Sequence, residues 1–481
     1  MSSYTISRTL NPKRVFILQK SELEKRFDPF YYIPEILELE RKVLSKKPKK
    51  LRDYVISVSS GATPKTTESE KYYAEKENGI PFLRVQNLSP TGVLEFDDCK
   101  YINQETHNGM LKRSQVSAGD LLVKITGVGR MAVASVVPEG FIGNINQHVC
   151  VIKTGSKVIS ETLAAFLNSD IGEKLASRRS AGGTRPALDY PALLSIPIIE
   201  DKRILQITNK VIDQKQKNEA EAEKLSASID YYLMKELKIS LPEQTENKLK
   251  DRIFTTTLNK ITGQRFDPTY HRLNYEKFIA SIKNSPFTIR KLKEIILFLD
   301  YGLMPTQDYA FTEEEGLPMI RVTNILKSGY INMDKVEYIK FDTPKLRDKI
   351  VQENDILMVQ CGNTTGKCAM VTKEFVGYTY GSFSFAIRAN PHIINQYFLF
   401  YLLNSKIVQE QLNRSITITS VRPNTSKPEV ENFLIPVPSL DKQKEITKHI
   451  TEIRKQAQKL KDKTKEALQK ASKEIESILL T

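Results

Sequence analysis

The chain has 481 residues, with 72 Lys and Arg against 57 Asp and Glu, for a formal net charge of +15. Its length exceeds one ordinary hydrophobic core and predicts two to four domains, while 40% hydrophobic content with 20 Phe and 20 Tyr excludes wholesale disorder. No run approaches the ~20 apolar residues that span a bilayer. The first twenty residues lack an apolar signal core. Cys99, Cys150, Cys361 and Cys368 are too sparse for a disulfide framework and, with five scattered His, form no zinc pattern. A cytoplasmic protein without membrane contact or bound metal is expected.

The positive charge is spread along the chain. Residues 1–240 hold 36 basic and 29 acidic residues, a net of +7, and residues 241–481 hold 36 and 28, a net of +8. A surplus of this kind suits a polyanion partner.

The same words occur twice in the same order. Arg26-Phe27-Asp28-Pro29 returns as Arg265-Phe266-Asp267-Pro268, and residues 79–87 (GIPFLRVQN) return as 316–324 (GLPMIRVTN). Gly119-Asp120 is matched by Asn354-Asp355, Leu167-Asn168-Ser169 by Leu403-Asn404-Ser405, Arg185-Pro186 by Arg422-Pro423, and Ile196-Pro197 by Ile435-Pro436. The offsets stay between 235 and 239, far beyond a solenoid period, so whole domains are repeated.

Each copy begins with short β-rich runs cut by Gly and Pro: 120–126, 132–137 and 148–153 in the first, 355–360, 369–372 and 384–388 in the second. One helix is predicted next, over 160–177 and 391–413. Polar loops follow at 180–186 and 415–423, then a short apolar run ending in Ile-Pro. The fold class is α+β, with mixed short strands and helices.

Beyond each Ile-Pro the period changes. Ile446, Ile450, Ile453, Ala457, Leu460, Thr464, Ala467 and Ala471 alternate steps of four and three, the seam of a coiled coil. In the first copy Ile204, Ile207 and Val211 start a seam. Gln214 and Asn218 interrupt it, and Leu225, Ile229, Tyr232 and Leu237 resume it, with Leu241-Pro242 as the stop. The two stripes most simply bury against each other. Predicted segments are 1–200, a helix over 201–240, a linker over 241–264, a second body over 265–438, and a helix over 439–481.

Enzymatic motifs fit poorly. Gly127-Val-Gly129-Arg-Met-Ala132 has dinucleotide-loop spacing but precedes a β-branched run where that motif needs a helix, so a hairpin is expected. Gly362-Asn-Thr-Thr-Gly366-Lys367-Cys368 is one residue short of a phosphate loop and has Cys in place of the metal-binding hydroxyl. Asp28, Glu40 and Lys42 have the residue types of a metal-dependent nuclease, but a solvated helix face accounts for them more simply. His148 has no nucleophile at informative spacing.

The candidate DNA contacts are basic, hydroxyl and amide side chains at matching loop positions. They are Lys124, Arg130, Arg178, Arg179, Thr184 and Arg185 in the first copy, and Gln360, Asn363, Lys367, Arg414, Thr417, Thr419 and Arg422 in the second. Arg can pair bidentately with guanine and Asn or Gln with adenine, while glycines at 182 and 183 let backbone amides approach phosphate. Arg84 and Arg321, among apolar neighbours, read equally as structural ion-pair residues.

The ordered, duplicated words resemble the specificity subunit of a type I restriction-modification system: Gly61-Ala-Thr63-Pro64, residues 80–87, Gly119-Asp120-Leu-Leu, Asn146-Gln147-His148, and Leu167-Asn168-Ser169 before Ile-Pro and a helix. The second copy departs with Gly302-Leu-Met-Pro305, Asn354-Asp355, and Tyr380-Gly381-Ser382 in place of the Asn-Gln-His triplet. The resemblance implies two target-recognition domains separated by two long antiparallel coiled-coil helices, each domain reading half of a split, asymmetric DNA site. It implies a non-catalytic chain that binds no cofactor. Its partners would be double-stranded DNA, two adenine-methyltransferase subunits and ATP-driven restriction subunits, which bring S-adenosylmethionine, ATP and Mg. Ile207, Val211, Leu225, Ile229, Ile446, Ile450, Ile453 and Leu460 would form the helix seam behind the methyltransferase surfaces. A stand-alone DNA-binding regulator of similar fold is the alternative, and a nuclease using Asp28 and Glu40 the more distant one.

Overall fold

The computed structural model describes residues 11, 13–24, 26–96, 98–241, 253, 255, 257, 258, 268–305, 307–419 and 422–481. The chain divides into two compact units, Met1–Glu219 with Lys461–Thr481, and Ala220–Leu460. Each long helix is therefore shared between them.

In the first unit, α1 (Pro34–Ser45) precedes the strands of two four-stranded sheets: β1 (Ser57–Ser60), β2 (Ile80–Leu83), β3 (Lys100–Ile102), β4 (Gln115–Val116), β5 (Leu121–Lys124), β6 (Ala134–Val136), β7 (Gly143–Ile145) and β8 (Val149–Lys153). Helices α2 (Lys157–Leu167), α3 (Asp170–Arg179) and the long α4 (Lys202–Leu237) follow. One antiparallel sheet runs β1-β8-β5-β6. A second runs β3-β2-β7-β4, with β2 and β7 parallel.

β5 is buried at all four residues because both of its faces are covered. Leu121 and Val123 join Leu163, Phe166 and Leu175 of the helices in one core, whereas Leu122 joins Leu83 and Ile145 of the second sheet. Side chains alternate across a strand, so a run apolar at every position requires a layer on each side. The unit is thus helices, sheet and sheet.

The second unit repeats this plan in β9 (Ile296–Tyr301), β10 (Tyr309–Ala310), β11 (Gly316–Ile320), β12 (Glu337–Lys340), β13 (Ile356–Val359), β14 (Cys368–Met370), β15 (Thr379–Tyr380) and β16 (Ser384–Ala389). Helices α5 (Gln396–Asn404), α6 (Lys406–Ser415) and the long α7 (Leu440–Leu480) complete it. Its sheets run β9-β16-β13-β14 and β10-β12-β11-β15, with β11 and β15 parallel. The apparent differences are nearly filled by single bridges: Tyr73 to Ile102 stands where β10 pairs with β12, and Ile350 to Thr379 where β4 pairs with β7.

The repeated words are fold determinants. Asp120 accepts from the Ser117 amide at 2.8 Å and pairs with Lys153 at 2.7 Å; Asp355 accepts from the Gln352 amide at 2.8 Å and takes two 2.8 Å bonds from Arg388. The preceding Gly119 and Asn354 have φ of 83° and 68°, so the exchange of Gly for Asn keeps one of the few side chains that tolerates this region. A Cβ on Gly61 would stand 1.7 Å from the Ile145 carbonyl oxygen, and one on Gly302 2.3 Å from that of Tyr380. Neither position admits a side chain.

Two expectations need correction. The single helix expected in each copy is two, broken at the Leu-Asn-Ser words. The Asn168 amide group pairs with both the N–H and the carbonyl of Ala134 (2.9 and 2.7 Å), and Asn404 does the same with Cys368 (3.1 and 3.3 Å). Each Asn ties the helix end to the edge strand, and Ser169 then caps α3 by accepting from Gly172. In addition, α4 stops at Leu237, and Pro242 lies outside the described residues. Lys238 takes φ 51°, while Lys238 and Ile239 donate to Lys235 and Met234, a Schellman closure.

The long helices pack antiparallel within each unit. In the first, Ile204 and Ile207 share a core with Ile475, Ile478 and Leu479, and the Asn218 amide donates to Thr464 at 3.0 Å. In the second, the Tyr232 ring lies 4.1 Å from His449 and Glu236 pairs with Lys442 at 2.7 Å. Ile446 and Ile450 are fully buried; Ile207, Val211, Leu225, Ile229, Ile453 and Leu460 are half-buried. The expected interruption is partly wrong. Gln214 is exposed, but Asn218 and Ala222 lie on the seam, buried. A polar residue keeps its seam position when a partner across the pair satisfies it. No helix among the described residues is long and apolar enough to cross a membrane.

Candidate nucleic-acid interface

Both glycine-bearing segments are hairpin connections: β5 pairs antiparallel with β6, and β13 with β14. A strand therefore follows Gly127-Val-Gly129, where a dinucleotide site needs a helix. Each hairpin is laced to the polar loop expected some sixty residues later. Gly127 donates to the Pro186 carbonyl at 3.0 Å, beside a bridge between Thr126 and Ala187. Gly362 donates to the Pro423 carbonyl at 3.0 Å, beside a bridge between Cys361 and Asn424. In each unit one loop pair is thus built from two distant stretches of candidate residues.

On this surface Thr184 and Arg185 are exposed next to Gly182 and Gly183, and Asn363 is exposed in the second unit. Lys367 is half-buried, and its ammonium pKa is lowered, first by burial and then by Lys327. Thr417–Thr419 pairs with Arg422–Asn424 as a small hairpin. The side chains of Thr417, Thr419 and Arg422 lie outside what the structure describes.

Other candidates hold the loops rather than face outward. Lys124 is buried, with its pKa lowered by burial, and its Nζ donates to the Val128 carbonyl at 2.8 Å. Arg130 pairs with Asp170 at 2.8 Å, and the Gln360 amide donates to the Thr425 carbonyl at 2.7 Å. A tight loop turns carbonyls inward, and these nearby side chains supply the donors.

Arg178, Arg179 and Arg414 correct the sequence reading more sharply. All three lie on helices, not loops. Arg178 is 4% exposed, donates to the Tyr31 carbonyl at 2.8 Å, lies 3.9 Å over the Tyr31 ring, and shares Glu40 with Arg179. Burial lowers the pKa of both guanidinium groups. Arg414 repeats the clamp, donating to the Tyr270 carbonyl at 2.8 Å with its guanidinium 4.1 Å over the Tyr270 ring. The last turns of α3 and α6 face the segment that follows each Arg-Phe-Asp-Pro word, so these residues tie it down. Arg265, Phe266 and Asp267 lie outside the described residues.

The nuclease triplet is divided among separate ion pairs. Asp28 accepts from Arg26 and from the Tyr31 amide, Glu40 serves Arg178 and Arg179, and Lys42 pairs with Glu38 at 3.0 Å. Among the described residues no cluster of three His, Cys, Asp or Glu could hold a metal. Arg84 and Arg321 are engaged structurally, with Asp98 at 3.2 Å and with Glu337.

Residues 284–470 match the family model for the type I restriction modification DNA specificity domain. The chain is also 22% identical over 440 residues to the type I restriction enzyme EcoBI specificity subunit of Escherichia coli, covering 89% of this chain and 83% of that one. Among solved structures it is similar to the HsdS subunit from Thermoanaerobacter tengcongensis (16% identity, TM-score 0.33) and to the type I restriction-modification system S subunit from M. genitalium (12%, TM-score 0.38). Each match covers 90% of this chain and 94% of the other. The specificity domain's principal sheet order recurs in the first unit, β1-β8-β5-β6 beside β9-β16-β13-β14. The internal repeat therefore extends the specificity-domain plan to the half outside the family match.

The sequence set Tyr380-Gly381-Ser382 against Asn146-Gln147-His148, and the strand bonding corrects this by one residue. Ser382 and Phe383 stand where the first copy has Gln147 and His148, and Phe383, 50% exposed, is the position the sequence missed. The signal was the missing Asn-Gln-His triplet, which reads as a departure until the strands are aligned.

Proposed function

We propose that the chain is the DNA-reading subunit of a type I restriction-modification system, with each specificity domain reading one half of a split, asymmetric site. The carrying observation is the repeated loop pair, Gly127 with Pro186 and Gly362 with Pro423, which gathers polar side chains on one surface of each unit. Arg185, Thr184, Asn363 and Lys367 are the proposed contacts, joined by Thr417, Thr419 and Arg422 from sequence position. Lys124, Arg130 and Gln360 position the loops. The near-equal charge of the two halves suits two sets of phosphate contacts.

The chain acts without catalysis of its own. Two adenine-methyltransferase subunits dock on the long helices and bring S-adenosylmethionine, and restriction subunits bring ATP and Mg. Methylome sequencing of cells with and without this gene tests the reading: a bipartite adenine-methylation motif should vanish with the gene, and an unchanged methylome would defeat it. Arg185→Ala should weaken specific DNA binding by about 1–3 kcal/mol. A chain that purifies without methyltransferase subunits and binds one short site tightly would instead be a stand-alone regulator.

A further inference from the structure

Beside the loop pair of the second unit lies a cavity of about 740 Å³, walled by Leu303, Met304, Met319, Arg321, Ser382 and Phe383 among others. Its mouth is apolar and open: Met304 is 68% exposed and Phe383 50%. Large apolar side chains exposed together at a cavity mouth mark a binding position.

The backbone here is fixed on every side. Leu303 donates to the Tyr380 carbonyl at 2.7 Å, Ser382 to Leu303 at 2.8 Å, and Gly302 to Ser384 at 3.1 Å. Gln360 donates to the Phe383 carbonyl at 2.7 Å, so the mouth is continuous with the 360–367 hairpin. The first unit has the same frame with other chemistry. Asn146 donates to the Leu83 carbonyl as Gly381 does to that of Ile320, and Ile125 donates to the His148 carbonyl as Gln360 does to that of Phe383. On that shared frame the first unit carries Thr63, Gln147 and His148, with the Thr63 hydroxyl bonded to Gln147. The second carries Met304, Ser382 and Phe383.

We propose that this position is a base-reading subsite in both units, and that in the second unit Phe383 and Met304 take the C5-methyl group of a thymine in the major groove. The inference rests on the DNA-reading function proposed above. Thymine is the base that offers an apolar group at its major-groove edge, and Phe is among the side chains that contact it. The polar triplet at the matching place in the first unit suits a hydrogen-bonding base edge. One frame with two surfaces would give the two half-sites unlike sequences.

The test uses the full-length chain, co-expressed with its modification subunits, and duplexes bearing the site found by methylome sequencing. Each thymine is replaced singly by deoxyuridine, which removes only the methyl group. One replacement should weaken binding about fourfold, the effect of one buried methyl group. Phe383→Leu and Met304→Ala should each shrink that difference while leaving every other replacement unchanged. Both residues are half or more exposed, and circular dichroism checks that the variants fold. A site without thymine, no sensitive replacement, or a sensitive replacement untouched by both variants overturns the subsite while specific binding persists. Loss of specific binding by the unaltered chain would fail the DNA-reading function itself.

Discussion

The Asn218 Nδ2 donates to the Thr464 Oγ1 at 3.0 Å, joining the two long helices that close the two copies of the repeat. Asn218 also accepts from Gln214 at 2.8 Å, so a buried amide on an otherwise apolar seam has partners for both of its ends. A polar pair inside a helix seam costs some stability and fixes the register. Asn218→Ala should destabilise the chain by about 1 kcal/mol. In a double-mutant cycle by denaturant unfolding, Asn218→Ala with Thr464→Ala should cost less than the two single changes added. Strict additivity would mean that the pair is not coupled.

Glu40 neutralises Arg178 and Arg179 in a place where all three side chains are nearly buried. Removing one partner of a buried ion pair leaves uncompensated charge, so Glu40→Ala should cost about 3–5 kcal/mol, read as a lower urea midpoint. Lys42→Ala, at an exposed pair with Glu38, should change stability by less than about 1 kcal/mol. Equal effects would remove the distinction drawn between the buried cluster and the helix surface.

Lys238 sits at φ 51° as the closing residue of α4. Glycine meets no Cβ penalty there, so Lys238→Gly should stabilise by about 0.5–1 kcal/mol, seen as a raised Tm. A lowered Tm would mean that the lysine side chain contributes more than its strain costs.

Glu476 and Asp170 face each other in the first unit. Burial first, and Asp170 next, raise the Glu476 pKa, whereas the hydrogen bond from Arg130 is the main cause lowering that of Asp170. A carboxyl raised on folding weakens the fold as pH climbs above its ordinary value of 4.5. Glu476→Gln should therefore raise Tm at pH 7, and the gain should disappear as pH falls below 4.5. A gain of equal size at pH 4 would exclude titration as its cause.

Local and periodic features were legible in the sequence. The repeat of 235 to 239 residues, the strands around β5 and β13, the hairpins at Gly127 and Gly362, and the α7 seam all follow from neighbours or from a constant period. The helix breaks at Asn168 and Asn404 were not legible, because each break is bonded to a strand more than thirty residues away. Asn218 reads as an interruption in one helix and as a seam residue once Thr464 faces it.

The candidate surface shows the same division. Sequence alone determined that the chain holds two like bodies, two long amphipathic helices and a set of basic and polar side chains at matching places, because composition, order and period are properties of one dimension. Only the tertiary structure decided which of those side chains face outward. Arg185 and Arg178 are seven residues apart and chemically alike, yet one stands exposed in the loop while the other is sealed over Tyr31 by Glu40. The cause is the packing of α3 against a distant segment. A guanidinium inside that contact must find its partners there, since leaving them unmet would cost more than the fold could recover.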